Sequence, residues 1–249
     1  SAALWSAKLE QYSGPSPLFV PFLWSHHVSR VSTSDYGAKT VIDFGQKRQD
    51  TNLIELFQLI KQSGREAILV LPLGPLPFVS SGGMPSWLCE AAVEDKNGLY
   101  KVAIDDQMRI HKSYSFYSSR VFKEYFQVLS VLADLIRSKG VEVKIYGMSS
   151  YYQNPIDQKL YSFFEDYSKV SKQAFARYFA SLKGSNNIAS DEDWKAFQKD
   201  MKSLYVNALQ ETFPGFYQGE LSMYFADASP WQPLAALQMT RPDCGLLNS

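Results

Sequence analysis

Residues 64–88 read GREAILVLPLGPLPFVSSGGMPSWL, and this stretch decides the predicted fold. Its first half contains an unbroken apolar run at 67–73 (AILVLPL), which is followed directly by Gly74. A short continuous run of this kind is typical of a strand that is covered on both faces, as strands of parallel sheets are. The second half is rich in proline, glycine and serine, which indicates a loop after the strand.

On both sides of this strand, segments of strand and helix character alternate along the chain. Apolar residues at helical spacing predict helices, and short apolar runs predict strands. The predicted helices span 50–64, 119–139, 166–182 and 191–213, and the predicted strands span 18–24, 67–73, 141–148 and 216–225. This alternation predicts parallel strands joined by helical crossovers, in an α/β fold. No glycine-rich phosphate motif follows a predicted strand, which argues against a nucleotide-binding sheet.

The predicted helix ends carry specific signals. Gly64 and Gly140 stand where the first two helices should end, because glycine readily adopts the left-handed conformation of a helix C-terminus. Asp50 or Thr51 is predicted to cap the first helix, and Ser190 with Asp193 forms a pattern close to a capping box.

Length and charge narrow the class of protein. A chain of 249 residues suits a single α/β domain over residues 1–249. Lysine plus arginine equals aspartate plus glutamate, at 25 each, and no basic block stands out. This balance argues against nucleic acid as a partner and favours a neutral ligand such as an uncharged sugar. No apolar stretch reaches the roughly 18 residues of a membrane span.

Two parts of the sequence resemble the β-galactosidases of glycoside hydrolase families 35 and 42. The first contains Trp-Ser-His-His and Ile-Asp-Phe within 24–44, Gly-Pro at 74–75, and Gly-Gly-Met-Pro-Ser-Trp-Leu at 82–88. The second begins at Asp-Tyr-Ser, residues 166–168, and is similar to a family 42 helix followed by glycine and tryptophan. The resemblance implies a (β/α)8 TIM-barrel-like fold, whole or incomplete, with a sugar site at the mouth of the barrel.

The chain departs from these families where their chemistry lies. The acid/base glutamate of the family belongs at the end of the fourth strand, but the matching stretch 145–152 (IYGMSSYY) contains no carboxylate. His26-His27 stands in place of His-Glu, and Leu73 in place of an arginine. Because glycoside hydrolysis needs two carboxylates, the standard mechanism is not expected and no catalytic residue is predicted.

The resemblance places six residues near the predicted sugar site. Trp24 and Trp87 are equally compatible with a role in core packing. Tyr151 and Tyr152 are also compatible with a packing role, in which they fill the pocket that the missing acid would occupy. No metal is expected, since adjacent histidines without a third nearby ligand do not form a zinc site, and no cofactor is expected. The predicted sugar-binding residues are Trp24, His26, His27, Trp87, Tyr151 and Tyr152.

Three hypotheses for function follow. The first is a glycosidase-like protein that binds a neutral carbohydrate or serves as a scaffold, without the standard acid/base chemistry. The second is an active β-galactosidase-type hydrolase whose acid comes from Asp157, from Glu220 or from a segment outside this sequence. The third is a structural or assembly protein that retains a barrel fold, with a partner chain or a second copy of itself. Cys89 and Cys244 leave open one disulfide or two separate thiols.

Overall fold

The computed structural model describes residues 17–33, 37–45, 52–72, 85, 87–88, 92–98, 100, 102–104, 110–152, 160–162, 164–184, 188–213 and 216–224. These ranges contain nine strands, four α-helices and one 3₁₀ turn at Trp24–His26. The strands are β1 Leu18–Pro21, β2 Val28–Thr33, β3 Gly37–Ile42, β4 Ala67–Pro72, β5 Val102–Ile104, β6 Ile110–Lys112, β7 Val143–Tyr152, β8 Leu160–Ser162 and β9 Phe216–Tyr224. The helices are α1 Leu53–Ser63, α2 Ser119–Lys139, α3 Lys169–Lys183 and α4 Asp191–Thr212.

A five-stranded sheet is the centre of the fold. β1 pairs with β4, β4 with β7 and β7 with β9, and all three pairings are parallel. β8 pairs antiparallel with the last three residues of β7. Helix α1 connects β1 to β4 along the chain, α2 connects β4 to β7, and α3 with α4 connects β7 to β9. The predicted parallel strands with helical crossovers are therefore confirmed.

The predicted (β/α)8 TIM barrel is wrong for the part of the chain that the structure describes. Its main sheet is open, with four parallel strands and one short antiparallel strand, and two further sheets contain two strands each. A closed barrel requires a continuous ring in which the last strand pairs with the first. β1 and β9 are not paired with each other, so the alternation of elements that suggested a barrel builds an open sheet here.

The two small sheets are antiparallel hairpins that the sequence pattern did not predict. β2 pairs with β3 from Val28↔Ile42 to Thr33↔Gly37, directly after the 3₁₀ turn that follows β1. β5 pairs with β6 within the long connection between β4 and α2. The strands β5 and β6 have three residues each, fewer than the four to eight residues over which apolar alternation can be recognised.

The core forms around β4. Five consecutive residues of this strand, 67–71, are between 0% and 7% exposed, so both faces of the strand are covered. Helix α2 packs against both α1 and α4. Its buried stripe includes Val121, Tyr125, Leu129 and Leu132, which recur at intervals of three and four residues.

The helix ends agree with most of the sequence signals. Gly64 and Gly140 adopt left-handed φ angles of 63° and 57° as they end α1 and α2. The capping box of Ser190 and Asp193 is present. Hydrogen bonds that the Asp193 carboxylate accepts from Lys183 and Ser190 lower the pKa of Asp193 to about 2. The prediction for α1 was wrong, because Asn52 rather than Asp50 or Thr51 caps it, accepting from the Glu55 amide at 2.8 Å.

Several sequence predictions fall on residues outside the described ranges: Asp157, Cys89, Cys244 and most of the loop 73–86. The single domain over 1–249 also stays a prediction. None of the helices in the described ranges combines the length and the apolar character that a bilayer crossing requires.

Candidate functional site

The carboxyl ends of the parallel strands lie along one edge of the main sheet, which we call the carboxyl edge. The start of β7 lies at the opposite edge of the sheet, and helix α2 ends shortly before it, at Lys139. Because α2 has 21 residues, it is long enough to reach back along the sheet, so its first turns lie at the carboxyl edge. The predicted site residues come to this edge from separate parts of the chain. Trp24, His26 and His27 follow β1, Trp87 contacts the second turn of α2, and Tyr151 and Tyr152 end β7.

Trp24 lies in the core beneath the carboxyl edge. Its side chain is 2% exposed and meets Tyr125 edge-on, with ring centroids 5.0 Å apart. Its indole N–H is buried and has no hydrogen-bond partner within the described residues. His27 stacks on Phe22 at 5.3 Å and also contacts Phe44 at 5.3 Å. In this structure Trp24 offers no ring face to a ligand, and His27 packs between aromatic rings.

Trp87 is partly exposed and is held by polar contacts. Its indole Nε1 donates to Oε2 of Glu124 at 3.0 Å, and Nε of Arg120 donates to Oε1 of the same carboxylate at 3.2 Å. The side chains of Arg120 and Glu124 are 43% and 19% exposed. Pro85 and Leu88, both buried, fix the segment on either side of the ring. This group of Trp87, Glu124 and Arg120 is called the Trp87 site below.

The Trp87 site combines three properties that sugar recognition uses. An indole face is apolar, while its N–H is a donor that sets the orientation of the ring. The carboxylate of Glu124 accepts hydrogen bonds, and the guanidinium of Arg120 donates them. Arg120 and Glu124 form an ion pair, so the site contains one positive and one negative charge.

Behind these residues lies a buried tyrosine pair on α2 and α4. Tyr125 and Tyr205 are 0% and 3% exposed, and burial raises the pKa of both hydroxyls far above the usual value. A cavity of about 10 Å³ beside them is lined by Phe116, Phe164 and Tyr205 among others. It holds at most one water and is far too small for a sugar ring.

Tyr151 and Tyr152 are placed by their backbone only. They pair with Met223 and Tyr224 of β9 and with Tyr161 and Leu160 of β8. Upstream, the β7–β9 register is irregular: Tyr146 pairs with Tyr217 and Met148 with Leu221. Three residues of β9, 218–220, thus stand opposite the single residue Gly147, and they include Glu220. Bulges of this kind recur next to ligand sites, because they redirect side chains.

The comparisons with known proteins identify no family. No protein-family model matches the chain, and no curated protein matches it at a significant level. Membership of glycoside hydrolase families 35 or 42 is therefore not shown. One similar solved structure is a cycloisomaltooligosaccharide glucanotransferase from Paenibacillus sp., complexed with cycloisomaltoheptaose. It is 12% identical with a TM-score of 0.31, over 75% of this chain and 27% of that chain.

A second similar structure is a ternary complex of ObcA with a C4-CoA adduct and oxalate. It is 11% identical with a TM-score of 0.23, over 90% of this chain and 51% of that chain. This chain therefore spans about a quarter and about half of the two proteins that it matches. At these TM-scores the likeness supports no conclusion about fold or activity.

A second polar cluster lies where the segment 92–98 meets the start of α3. The Asp166 carboxylate is fully buried and accepts from the Glu94 amide at 3.2 Å and from the Ser168 amide at 2.9 Å. The Ser168 hydroxyl donates to its other oxygen at 3.1 Å, and the Tyr167 amide donates to the Glu94 carbonyl at 2.9 Å. These contacts tie segment 92–98 to α3.

We expect the Glu94 carboxyl to make folding stability dependent on pH. Burial raises its pKa above the usual 4.5, with Asp166 and Asp95 adding to the shift and Lys172 opposing it. A raised folded-state pKa gives a stabilising contribution that is complete below pH 4.5 and lost as pH rises through the folded-state value. Relative to Glu94→Gln, the natural chain should gain stability as pH falls from 7 toward about 5. Urea unfolding of both proteins across this range measures the difference, and parallel pH profiles would contradict the expectation.

Two of the three side chains of the Trp87 site were not predicted from the sequence. Glu124 and Arg120 lie on the exposed side of α2, where charged residues are usual, and 37 residues separate Trp87 from Glu124. The four-residue spacing of Arg120 and Glu124 was the available signal, since it predicts an ion pair on a helix. In the described ranges, no three His, Cys, Asp or Glu side chains gather closely enough to hold a metal ion.

Proposed function

We propose that this protein binds a neutral carbohydrate at the carboxyl edge of its parallel sheet, with Trp87 as the stacking platform. The observation that carries the proposal is the hydrogen bond of 3.0 Å between Trp87 Nε1 and the Glu124 carboxylate. This bond fixes the plane of a partly exposed indole and places acceptors and donors beside it. A fixed aromatic face with adjacent hydrogen-bonding groups suits the apolar face and the hydroxyls of a pyranose ring.

Position and charge also favour a neutral ligand. Ligands of open parallel sheets bind beyond the carboxyl ends of the strands, which is the edge that Trp87 occupies. The formal net charge of the chain is zero, and Glu124 pairs with Arg120 within the site. An anionic polymer would require a basic surface, which the sequence does not provide.

The resemblance to β-galactosidases is part of the proposal rather than a finding. It rests on residues 74–75 and 82–88, and it makes galactosides the first ligands to test. Binding without hydrolysis follows from the absence of a carboxylate in the stretch 145–152.

We expect Trp87→Ala to weaken binding of methyl β-galactopyranoside at least tenfold, because the stacking surface is lost. Isothermal titration calorimetry with the natural chain, Trp87→Ala and Trp194→Ala measures the effect. Trp194, in the first turn of α4, is the matched control, since it is also partly exposed but packs on Tyr167 and Phe175 rather than on α2. Circular dichroism confirms that each variant is folded. Equal weakening by both substitutions, or no binding of the natural chain to any neutral sugar, would refute the proposal.

Hydrolysis is tested in a separate assay. Turnover of a nitrophenyl galactoside that is lost in Glu220→Gln or Asp157→Asn would show an active hydrolase with a displaced acid. Binding without turnover supports the proposal as stated.

A further inference from the structure

The sequence contains a single Asn-Gly pair, Asn97-Gly98, and the pair lies at the end of segment 92–98. We propose that Asn97 is a site of spontaneous covalent modification, at which its side-chain amide is converted to aspartate and isoaspartate. This modification does not depend on carbohydrate binding. It follows from the chemistry of the pair and from the exposure and backbone contacts of the loop that contains it.

The reaction begins within the chain and needs only water as a co-reactant. The backbone nitrogen of Gly98 attacks Cγ of Asn97, the Cγ–Nδ2 bond breaks, and ammonia leaves with the proton of the Gly98 nitrogen. The product is a cyclic succinimide. Water then opens the ring, and it gives aspartate when the bond from nitrogen to Cγ breaks. It gives isoaspartate when the bond from nitrogen to the backbone carbonyl carbon breaks.

Gly98 leaves the attacking nitrogen accessible. A side chain on the residue after the asparagine shields this nitrogen, and glycine has no side chain. A Cβ built on Gly98 would meet no atom of the described residues within 4 Å, its chain neighbours excepted, so the surrounding space is also open. Asn97 and Gly98 are both exposed to solvent, which supplies the water for the second step.

The hydrogen bonds that hold Asn97 belong to a short loop rather than to a helix or a strand. The loop is closed by the bridge between Glu94 and Tyr100. Within it, the Asp95 carboxylate accepts from the Asn97 amide at 2.8 Å, and the Asp95 carbonyl accepts from the Gly98 amide at 3.1 Å. Nδ2 of Asn97 lies 3.5 Å from the same carboxylate, at the limit of a hydrogen bond. Attack by the Gly98 nitrogen must break its bond to Asp95, but no helix or strand has to open.

Asn207 and Asn52, which also lie in the described ranges, are held by helices. Asn207 is within α4 and is followed by Ala208, whose amide is part of the same helix. Asn52 caps α1, and its side-chain oxygen accepts from the Glu55 amide at 2.8 Å. A succinimide at either position would require part of a helix to unfold. We therefore expect Asn97 to react faster than both.

Each converted chain carries one additional negative charge, because a carboxylate replaces a neutral amide. The formal net charge changes from zero to minus one, so ion-exchange chromatography separates the modified chain from the natural one. Isoaspartate also lengthens the backbone by one carbon between 97 and 98. This product can be labelled by an isoaspartyl methyltransferase, which distinguishes it from aspartate.

The test incubates the folded natural chain in mildly alkaline buffer, since base removes the proton from the attacking nitrogen, and follows each asparagine by peptide mass spectrometry. We expect the peptide that contains Asn97 to gain about one dalton at least about tenfold faster than the peptide that contains Asn207, because the open nitrogen of glycine follows only Asn97. Part of the Asn97 product should accept the methyltransferase label. In the matched variant Asn97→Gln, the longer side chain does not form this ring, so the same peptide should keep its mass.

Circular dichroism during the incubation shows that the natural chain and Asn97→Gln stay folded. Conversion of Asn97 no faster than that of Asn207 would overturn the proposal. Conversion that occurs in urea but not in the folded chain would also overturn it, because the loop would then protect Asn97.

Discussion

Replacing Leu69 by alanine should lower the free energy of unfolding by about 3 kcal/mol. Leu69 is 0% exposed in β4, and its register neighbours are Val20 on β1 and Ile145 on β7. Truncation removes apolar burial and leaves a cavity, because a strand paired on both sides cannot move to fill it. Urea unfolding followed by far-ultraviolet circular dichroism measures the change.

Leu182→Ala is the matched control for this prediction. It makes the same chemical change on α3, where the leucine is 65% exposed, and should alter the free energy of unfolding by less than about 0.5 kcal/mol. Similar losses for Leu69→Ala and Leu182→Ala would show that β4 is not the centre of the core.

Asp166→Ala should lower the free energy of unfolding by about 3 kcal/mol, since it leaves buried donors without an acceptor. The amides of Glu94 and Ser168 and the hydroxyl of Ser168 all donate to the Asp166 carboxylate. The carboxylate is fully buried, so water cannot easily replace it. Chemical unfolding gives the magnitude, and faster amide hydrogen exchange at Glu94 and Ser168 would show that segment 92–98 has separated from α3.

The control for Asp166 is Asp134→Ala on α2. Asp134 is 67% exposed and pairs with Arg137 on the same helix, an arrangement that contributes less than about 1 kcal/mol at a surface. An Asp166→Ala protein as stable as Asp134→Ala would mean that the contacts of Asp166 do not hold segment 92–98.

The sequence predicted the elements of the main sheet well because their signals are local. The apolar run at 67–73 became β4, the stripe at 119–139 became α2 with the same bounds, and the capping pattern of Ser190 and Asp193 formed as expected. Each of these signals lies within a segment of at most 21 residues and depends on burial or capping alone.

Closure of the sheet could not be predicted in the same way. Alternating strands and helices predict parallel neighbours, but an open sheet and a closed barrel share that pattern. What separates them is whether β1 pairs with the last parallel strand, and no local feature of 18–21 encodes that pairing. The resemblance at 74–75 and 82–88 favoured the barrel, and the described sheet is open.

The candidate site could be predicted only in part, because its contacts also join residues that are far apart in the sequence. Residues that follow strands, such as Trp24 and His26, could be placed at the carboxyl edge from the order of elements. Whether a tryptophan is buried could not, and Trp24 is in the core whereas Trp87 is partly exposed. The pairing of Trp87 with Glu124 depends on how a loop folds onto α2, which apolar periodicity does not record.

Hydrogen–deuterium exchange with and without saturating methyl β-galactopyranoside tests the location of the proposed site most directly. We expect slower exchange at 87–88 and at the first turns of α2, residues 119–125, and we expect this change to be absent in Trp87→Ala. No change at these residues, or protection confined to α3 and α4, would contradict it.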